Sequence, residues 1–294
     1  MASSPAAPPT LAIRGVSYRY PGYARLVLEE LDLEIAPGEI VGLVGANESG
    51  KSTLCLVAAG LAPASIGGTL TGDVAVDGQP TAGRATHDLA ASVGLVFQDP
   101  NTQRSGVTAT VFEEVALGSV NLGRPVTETV ARTRAALATL RIESLADRDP
   151  ARLSGGQAQL VAVASILAMG PRLLVLDEPT AQLDPEGTRL VGAALRELAG
   201  TGTALLIAEH KTNLLDGLCD RIVGLEAGRI ALDGPAAAIL EDPALRAIGV
   251  EPPARVRLAQ AAAERGLAIP ADALVAAGTI GPTSAHGVAA GGEA

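Results

Sequence analysis

The chain has 294 residues, enough to bury a substantial core in one large domain or two small ones. Its formal net charge is −10, aromatic residues make up only 2% and Trp is absent, so it lacks both the basic field and the stacking surfaces of a nucleic-acid binder. No apolar run approaches the roughly eighteen residues of a membrane span, and the leading MASSPAAPP has neither the basic nor the apolar region of a secretory signal. The chain is expected to be soluble, and any membrane role has to come through a partner. Cys55 and Cys219 lie in apolar stretches and read as small core residues of a reducing compartment.

Residues 1–10 read as a flexible lead. Leu11 to Tyr20 is a strand ended by Pro21-Gly22, and Leu26 to Ile35 a second, closed by Pro37-Gly38. Tyr20, at the end of the first, is either a platform for a purine base or a plain strand-end tyrosine. VGLVGANESGKSTLCL, Val41 to Leu56, reads as a buried strand, a Gly-rich turn and a helix start. Gly45 to Ser52 match G-x-x-x-x-G-K-[ST]. A polyphosphate needs converging N–H donors, and a Gly-rich turn entering a helix supplies them, because the first helical amides have no intrahelical partner and the dipole there is positive. In this pattern Lys51 reaches the β- and γ-phosphates and the Ser52 hydroxyl ligates Mg²⁺.

GDVAVDGQ, Gly72 to Gln79, is a hairpin turning at Asp77-Gly78. A short helix over Asp88 to Ser92 leads to the strand Val93 to Phe97, which ends at Gln98, where open α/β sheets place ligand chemistry. Helical periodicity then takes over. Thr110 to Leu122, Thr127 to Leu140 and Ser154 to Met169 form a helical block that interrupts the β/α alternation. Alternation resumes with the strand Leu173 to Leu176, the helix Pro185 to Ala199, the strand Ala204 to Ala208 and a helix over Thr212 to Leu218. A hairpin (Arg221 to Leu225, Arg229 to Leu232), a last core helix (Pro235 to Glu241) and an Ala/Pro/Gly-rich tail follow; the tail holds one helix, Ala254 to Glu264, and a disordered end after Gly281.

LLVLDE, Leu173 to Glu178, delivers two carboxylates to the sheet edge that carries the phosphate loop. Asp177 is placed to hold Mg²⁺ through water, and Glu178 to act as general base on the attacking water. LSGGQ, Leu153 to Gln157, puts a hydroxyl, two glycines and an amide at a helix start, a second anion site by the same physics.

The phosphate loop, Gln98, LSGGQ, LLVLDEP and His210, in this order, resemble the nucleotide-binding subunit of ATP-binding-cassette (ABC) proteins over roughly Leu11 to Asp233. The resemblance implies an α/β P-loop NTPase of RecA-like core, with an N-terminal antiparallel β region and an inserted α-helical subdomain. It divides the chain into an ATPase domain at 11–241, with core 11–98 and 171–241 and helical subdomain 99–170, followed by an extension at 242–294.

It further implies an ATPase that uses ATP and Mg²⁺. Tyr20 takes the place of the adenine-stacking aromatic. Gly45, Ala46, Asn47, Glu48, Ser49, Gly50, Lys51, Ser52 and Thr53 form the Walker A loop, and Gln98 the Q-loop glutamine at the metal or the water. Ser154, Gly155, Gly156 and Gln157 form the signature, Asp177 and Glu178 the Walker B pair, Ala181 to Asp184 the D-loop, and His210 the switch histidine. In such proteins two cassettes pack head to tail, each nucleotide lying between one Walker A loop and the other's signature.

VFQDPNTQ (Val96 to Gln103), TVFEEVALGSVNLGRP (Thr110 to Pro125), the AEHK string around His210 and the tail from Val250 to Leu267 are similar to the ATPases of energy-coupling factor importers. That similarity implies a second ABC ATPase subunit, identical or paralogous, together with a transmembrane T component and a substrate-binding S component at the cytoplasmic side of the membrane. The alternative is a soluble, non-transport ABC ATPase of DNA repair or translation. Three residues depart from the pattern: Glu48 replaces a glycine of the loop, Leu160 an arginine after the signature, and Arg104 an apolar residue after Gln103. Glu113 and Glu114 read either as first-turn acids or as acceptors for basic residues of a membrane partner.

Overall fold

The computed structural model describes residues 8–267 together with 269, 270 and 273. The expected lead at 1–7 and the expected disordered end after Gly281 lie outside the described residues. Thr10, placed in the flexible lead, is instead buried and donates its amide to Ile35 at 2.8 Å.

In chain order the elements are β1 (Leu11–Arg19), β2 (Leu28–Ile35), β3 (Ile40–Val44), α1 (Lys51–Ala58), β4 (Thr69–Val76), β5 (Gln79–Pro80), α2 (Thr86–Leu89) and β6 (Val93–Val96). Then come α3 (Val111–Asn121), α4 (Val126–Thr139), α5 (Gly155–Met169), β7 (Leu173–Asp177), α6 (Pro185–Gly200), β8 (Ala204–Ala208) and α7 (Thr212–Leu215). β9 (Arg221–Glu226), β10 (Arg229–Pro235), α8 (Ala236–Glu241), α9 (Ala244–Ala247) and α10 (Ala254–Glu264) complete the set.

Two sheets form. β2, β1, β4 and β5 make an antiparallel sheet in that order. The central sheet runs β10-β9-β3-β8-β7-β6, parallel from β9 to β6 with β10 antiparallel at its edge. The β3, β7 and β8 sequences are continuous apolar runs because both faces of those strands are covered. One core lies on the face toward the antiparallel sheet and α1, with Leu11, Ile13, Leu54 and Leu206 in it. The other lies toward the helical block, where Val111, Leu137, Leu140 and Val161 meet Leu174 and Leu176. The strands β3, β6, β7 and β8 therefore bring their carboxyl ends to one edge, and the chain leaves that edge at Gly45, Phe97, Glu178 and Glu209.

Several boundaries differ from the sequence reading. α2 covers Thr86–Leu89 and not Asp88 to Ser92. α7 stops at Leu215, short of Leu218: Asp216 is in extended backbone, held by Arg255, whose Nε and Nη2 reach its carboxylate at 2.7 and 3.0 Å, and Gly217 follows in left-handed backbone (φ 74°). β10 runs on to Pro235, its last residues paired with Val223, Ile222 and Arg221 of β9. α9 lies in a stretch that had been read as tail. No helix among the described residues is long and apolar enough to cross a membrane. Cys55 and Cys219 are buried free thiols, as their apolar contexts suggested.

Candidate nucleotide site

The loop after β3 is shaped by two left-handed residues. Gly50 (φ 108°) caps α1, and a Cβ there would come within 2.9 Å of Leu28 and 3.1 Å of the Val27 carbonyl, so only glycine fits. Glu48 adopts φ 62°, which explains why glycine is the easy residue at this place. Its side chain is exposed. α1 starts with no side-chain cap and no acid in its first turn, so its leading amides are left to an external acceptor. Lys51 is 5% exposed, and its Nζ donates to the carbonyls of Gly45 and Ala46 at 2.9 and 3.0 Å, arching the ammonium over the loop. Burial holds the Lys51 pKa below its ordinary value, while Glu178 and Asp177 pull it back up. The amide of Ala46 points away, donating to the Ile248 carbonyl at 3.2 Å.

β7 carries the two carboxylates. Burial raises the Asp177 carboxyl above the usual aspartate range, against the hydrogen bond it receives from Ser52. Its Oδ1 is buried with no hydrogen-bond partner among the described residues. An orphaned carboxylate oxygen beside an exposed serine hydroxyl, facing a buried lysine, fits a hard divalent cation such as Mg²⁺. Glu178 also stands in left-handed backbone (φ 49°), its amide N–H donating to the Ala208 carbonyl at 2.9 Å. This turns its carboxylate inward: Oε2 accepts from Gln98 Nε2 at 2.8 Å and Oε1 pairs with His210 Nε2 at 3.0 Å.

These groups open on a cavity of about 460 Å³. Tyr20, Asn47, Glu48, Ser49, Gly50, Lys51, Ser52, Thr53, Gln98, Glu178 and His210 line it together, and Gly45, Ala46 and Asp177 support it from beneath. Tyr20 Oη shares a 3.1 Å hydrogen bond with Thr53 Oγ1, and its ring meets Tyr18 edge-on at 5.0 Å. The sequence reading missed Tyr23, Arg25 and Val27, which also line the cavity. The available signal was a second tyrosine three residues after Tyr20 in the same turn; the rings stand 6.0 Å apart.

Ser154, Gly155, Gly156, Gln157 and Asp184 do not line this cavity. Ser154 and Gln157 close a capping box on α5: the Ser154 hydroxyl accepts from the Gln157 amide at 3.3 Å, and Gln157 Oε1 accepts from the Ser154 amide at 3.1 Å. The two glycines lie against Gln182 of the 181–184 turn: a Cβ on Gly155 would come within 2.3 Å of the Gln182 side-chain oxygen, which would have to swing aside, and one on Gly156 within 3.3 Å of the Gln182 carbonyl. Asp184 caps α6, its Oδ1 accepting from the Gly187 amide at 2.7 Å.

The departures acquire local reasons. Arg104 donates to the Pro150 carbonyl at 2.7 Å and ties the stretch after Gln98 to the turn before the signature. Leu160 packs on the core of the helical block. Glu113 completes a capping box with Thr110. Glu114 is 7% exposed and holds the preceding loop, accepting from Ser105 N and Oγ at 2.7 and 2.6 Å and from Thr108 Oγ1. Burial alone would raise the Glu114 carboxyl, yet these donors outweigh it and keep it below the usual range. Both acids are thus engaged within the chain, which favours the first-turn reading over docking.

The comparisons agree with this geometry. Residues 28–181 match the family described as ABC transporter. The energy-coupling factor transporter ATP-binding protein EcfA1 of Lacticaseibacillus paracasei is 37% identical over 264 residues, 89% of this chain and 92% of that protein. The chain belongs to the ABC transporter ATP-binding family. Among solved structures it is similar to cbiO1 of Clostridium perfringens, described as part of the ABC transporter complex cbiONQ, with TM-score 0.70 and 30% identity over 86% of this chain and 99% of that one. It is also similar to the dimeric cassette MJ0796 bound to ADP and Pi, with TM-score 0.68 and 26% identity over 77% of this chain and 98% of that one. The first curated relatives it matches are spanned over 62–66% of their own length.

Proposed function

We propose that this chain is the ATP-hydrolysing subunit that powers a membrane importer of the energy-coupling factor type, through ATP-driven pairing of two cassettes. The observation that carries the reading is Glu178, held between Gln98 and His210 at the mouth of the phosphate-loop cavity. Lys51 and the leading amides of α1 bind the β- and γ-phosphates. Ser52, Asp177 and Gln98 would hold Mg²⁺, which when bound would offset the charge developing on the phosphates. Glu178 takes the proton of the attacking water, and His210 orients the γ-phosphate beside it. Tyr20 stacks on the adenine.

Ser154, Gly155, Gly156, Gln157 and Asp184 act on the nucleotide of a second cassette, which accounts for their distance from the chain's own cavity. ATP then favours the paired state, and hydrolysis removes that preference. The relatives named as energy-coupling factor ATPases and the cbiO1 structure support the importer type. Its partners are a second ABC ATPase subunit, a transmembrane T component and a substrate-binding S component, which keep the chain peripheral on the cytoplasmic face. Co-purification from membranes tests this: a T-type subunit and a second cassette are expected, and recovery of the chain without membrane subunits overturns the importer reading.

A further inference from the structure

The residues on either side of His210 converge on one buried threonine. Glu209 is 2% exposed and has no part in the chemistry above. Its Oε1 accepts from the Thr180 amide at 3.2 Å and the Thr180 hydroxyl at 2.6 Å, and its Oε2 accepts from the Lys211 amide at 3.3 Å. Lys211 Nζ donates back to the Thr180 carbonyl at 3.2 Å. Thr180 is 0% exposed and stands two residues beyond Glu178.

A carboxylate here is costly. Burial pushes the Glu209 carboxyl up, and the Thr180 and Lys211 donors oppose that push. Glu209 directly follows β8, all of whose residues are buried and apolar, so an apolar side chain would continue the strand without that desolvation. What the acid supplies is a tie between two segments that leave the sheet. The bond from the Glu178 amide to the Ala208 carbonyl joins β7 and β8 at their ends. Past it, Glu209, Lys211 and Thr180 connect the two segments by side chains, and His210 and Glu178 face each other inside that connection.

We infer that Glu209 and Thr180, closed by Lys211, form a bracket that sets the 3.0 Å approach of His210 to Glu178, and that Glu209 and Thr180 are positioning residues for hydrolysis. The inference rests on the ATPase reading. A misplacement of about 1 Å in a catalytic constellation costs on the order of 10²-fold in rate.

The test uses the full-length chain, with MgATP affinity and kcat measured separately in Glu209→Ala, Thr180→Val, Glu209→Gln and Thr180→Ser. The first two are expected to lose ~10- to 100-fold in kcat with affinity unchanged. Thr180→Ser, which restores the hydroxyl, and Glu209→Gln, which keeps an acceptor for it, recover most of the rate. Amide hydrogen exchange over 209–211, measured without nucleotide, accelerates in Thr180→Val and returns to the wild-type rate in Thr180→Ser. Wild-type kcat in both Glu209→Ala and Thr180→Val overturns the bracket. So does joint loss of affinity and rate that serine does not rescue. If Glu209→Ala does not fold, the Thr180 pair decides alone. A wild-type chain that binds but never hydrolyses ATP overturns the ATPase reading and removes the bracket with it, whereas active wild type beside equally active variants overturns only the bracket.

Discussion

α1 and α5 both begin in glycine, serine and a polar side chain, and both read as anion sites, yet their first turns differ. α1 has no side-chain cap, a left-handed glycine at its entry and Lys51 arched over the loop. α5 closes its own capping box through Ser154 and Gln157 and sets its glycines against Gln182. The open helix end leaves its leading amides to an acceptor from outside the chain, at the cavity that the chain's own residues line. The closed one satisfies the Ser154 and Gln157 amides itself and leaves those of Gly155 and Gly156 without a partner among the described residues. The difference lies in which orphan donors the chain satisfies for itself.

The largest way to sharpen that contrast is Glu178→Gln. The open site should still bind MgATP while kcat falls by ~10²–10⁴; wild-type turnover in this variant would refute the assignment of the base. Lys51→Ala attacks the open end itself. Losing hydrogen bonds from a charged donor, ~1.5–3 kcal/mol each, should weaken ATP binding by about ten- to a hundredfold in a direct titration.

Asp177→Asn tests the orphaned carboxylate beneath the loop. Its pKa is raised in the folded chain, so its ionisation costs stability above that pKa. Without metal, the variant should melt higher than wild type at neutral pH, each kcal/mol appearing as about 2–4 °C. The gap should narrow as pH falls below the raised pKa and close only below the ordinary aspartate range, where the unfolded chain is protonated as well, and Mg²⁺-dependent stabilisation should vanish from the variant. Ser154→Ala touches the closed end. It should cost ~1 kcal/mol of stability and leave ATP affinity of the separate chain unchanged, while turnover of the paired form drops. Smallest is Glu48→Gly, which relieves a left-handed side chain worth about 1 kcal/mol and should raise the melting temperature slightly.

Short contiguous strings were legible in advance: Gly45 to Thr53, Leu153 to Gln157 and Leu173 to Glu178 each carry their chemistry in adjacent residues, and each sits where its pattern placed it. Contacts made across the chain were not. Nothing near Glu114 announces that Ser105 and Thr108 will occupy its carboxylate, because the loop must first fold back onto α3. The apolar pattern through Leu218 predicts a longer α7, and two features end it sooner: Gly217 in left-handed backbone (φ 74°), and Arg255, far along the sequence, on the Asp216 carboxylate. Glu48 reads only as a departure from a loop glycine, and its left-handed backbone angle (φ 62°), which no motif states, gives the conformational reason that glycine suits the place.

One backbone bond redraws the limits of the cassette. The Ala46 amide is tied to the Ile248 carbonyl, and Gly249 follows with φ 76°, where a Cβ would come within 3.0 Å of the Ala46 side chain. A boundary drawn by motif ends at Glu241, but a boundary drawn by support runs past Gly249. A chain cut at the first boundary would keep the phosphate loop, the signature string and both carboxylates after β7 and lose the strut behind the loop, so the smallest self-supporting unit of this fold is longer than its run of motifs.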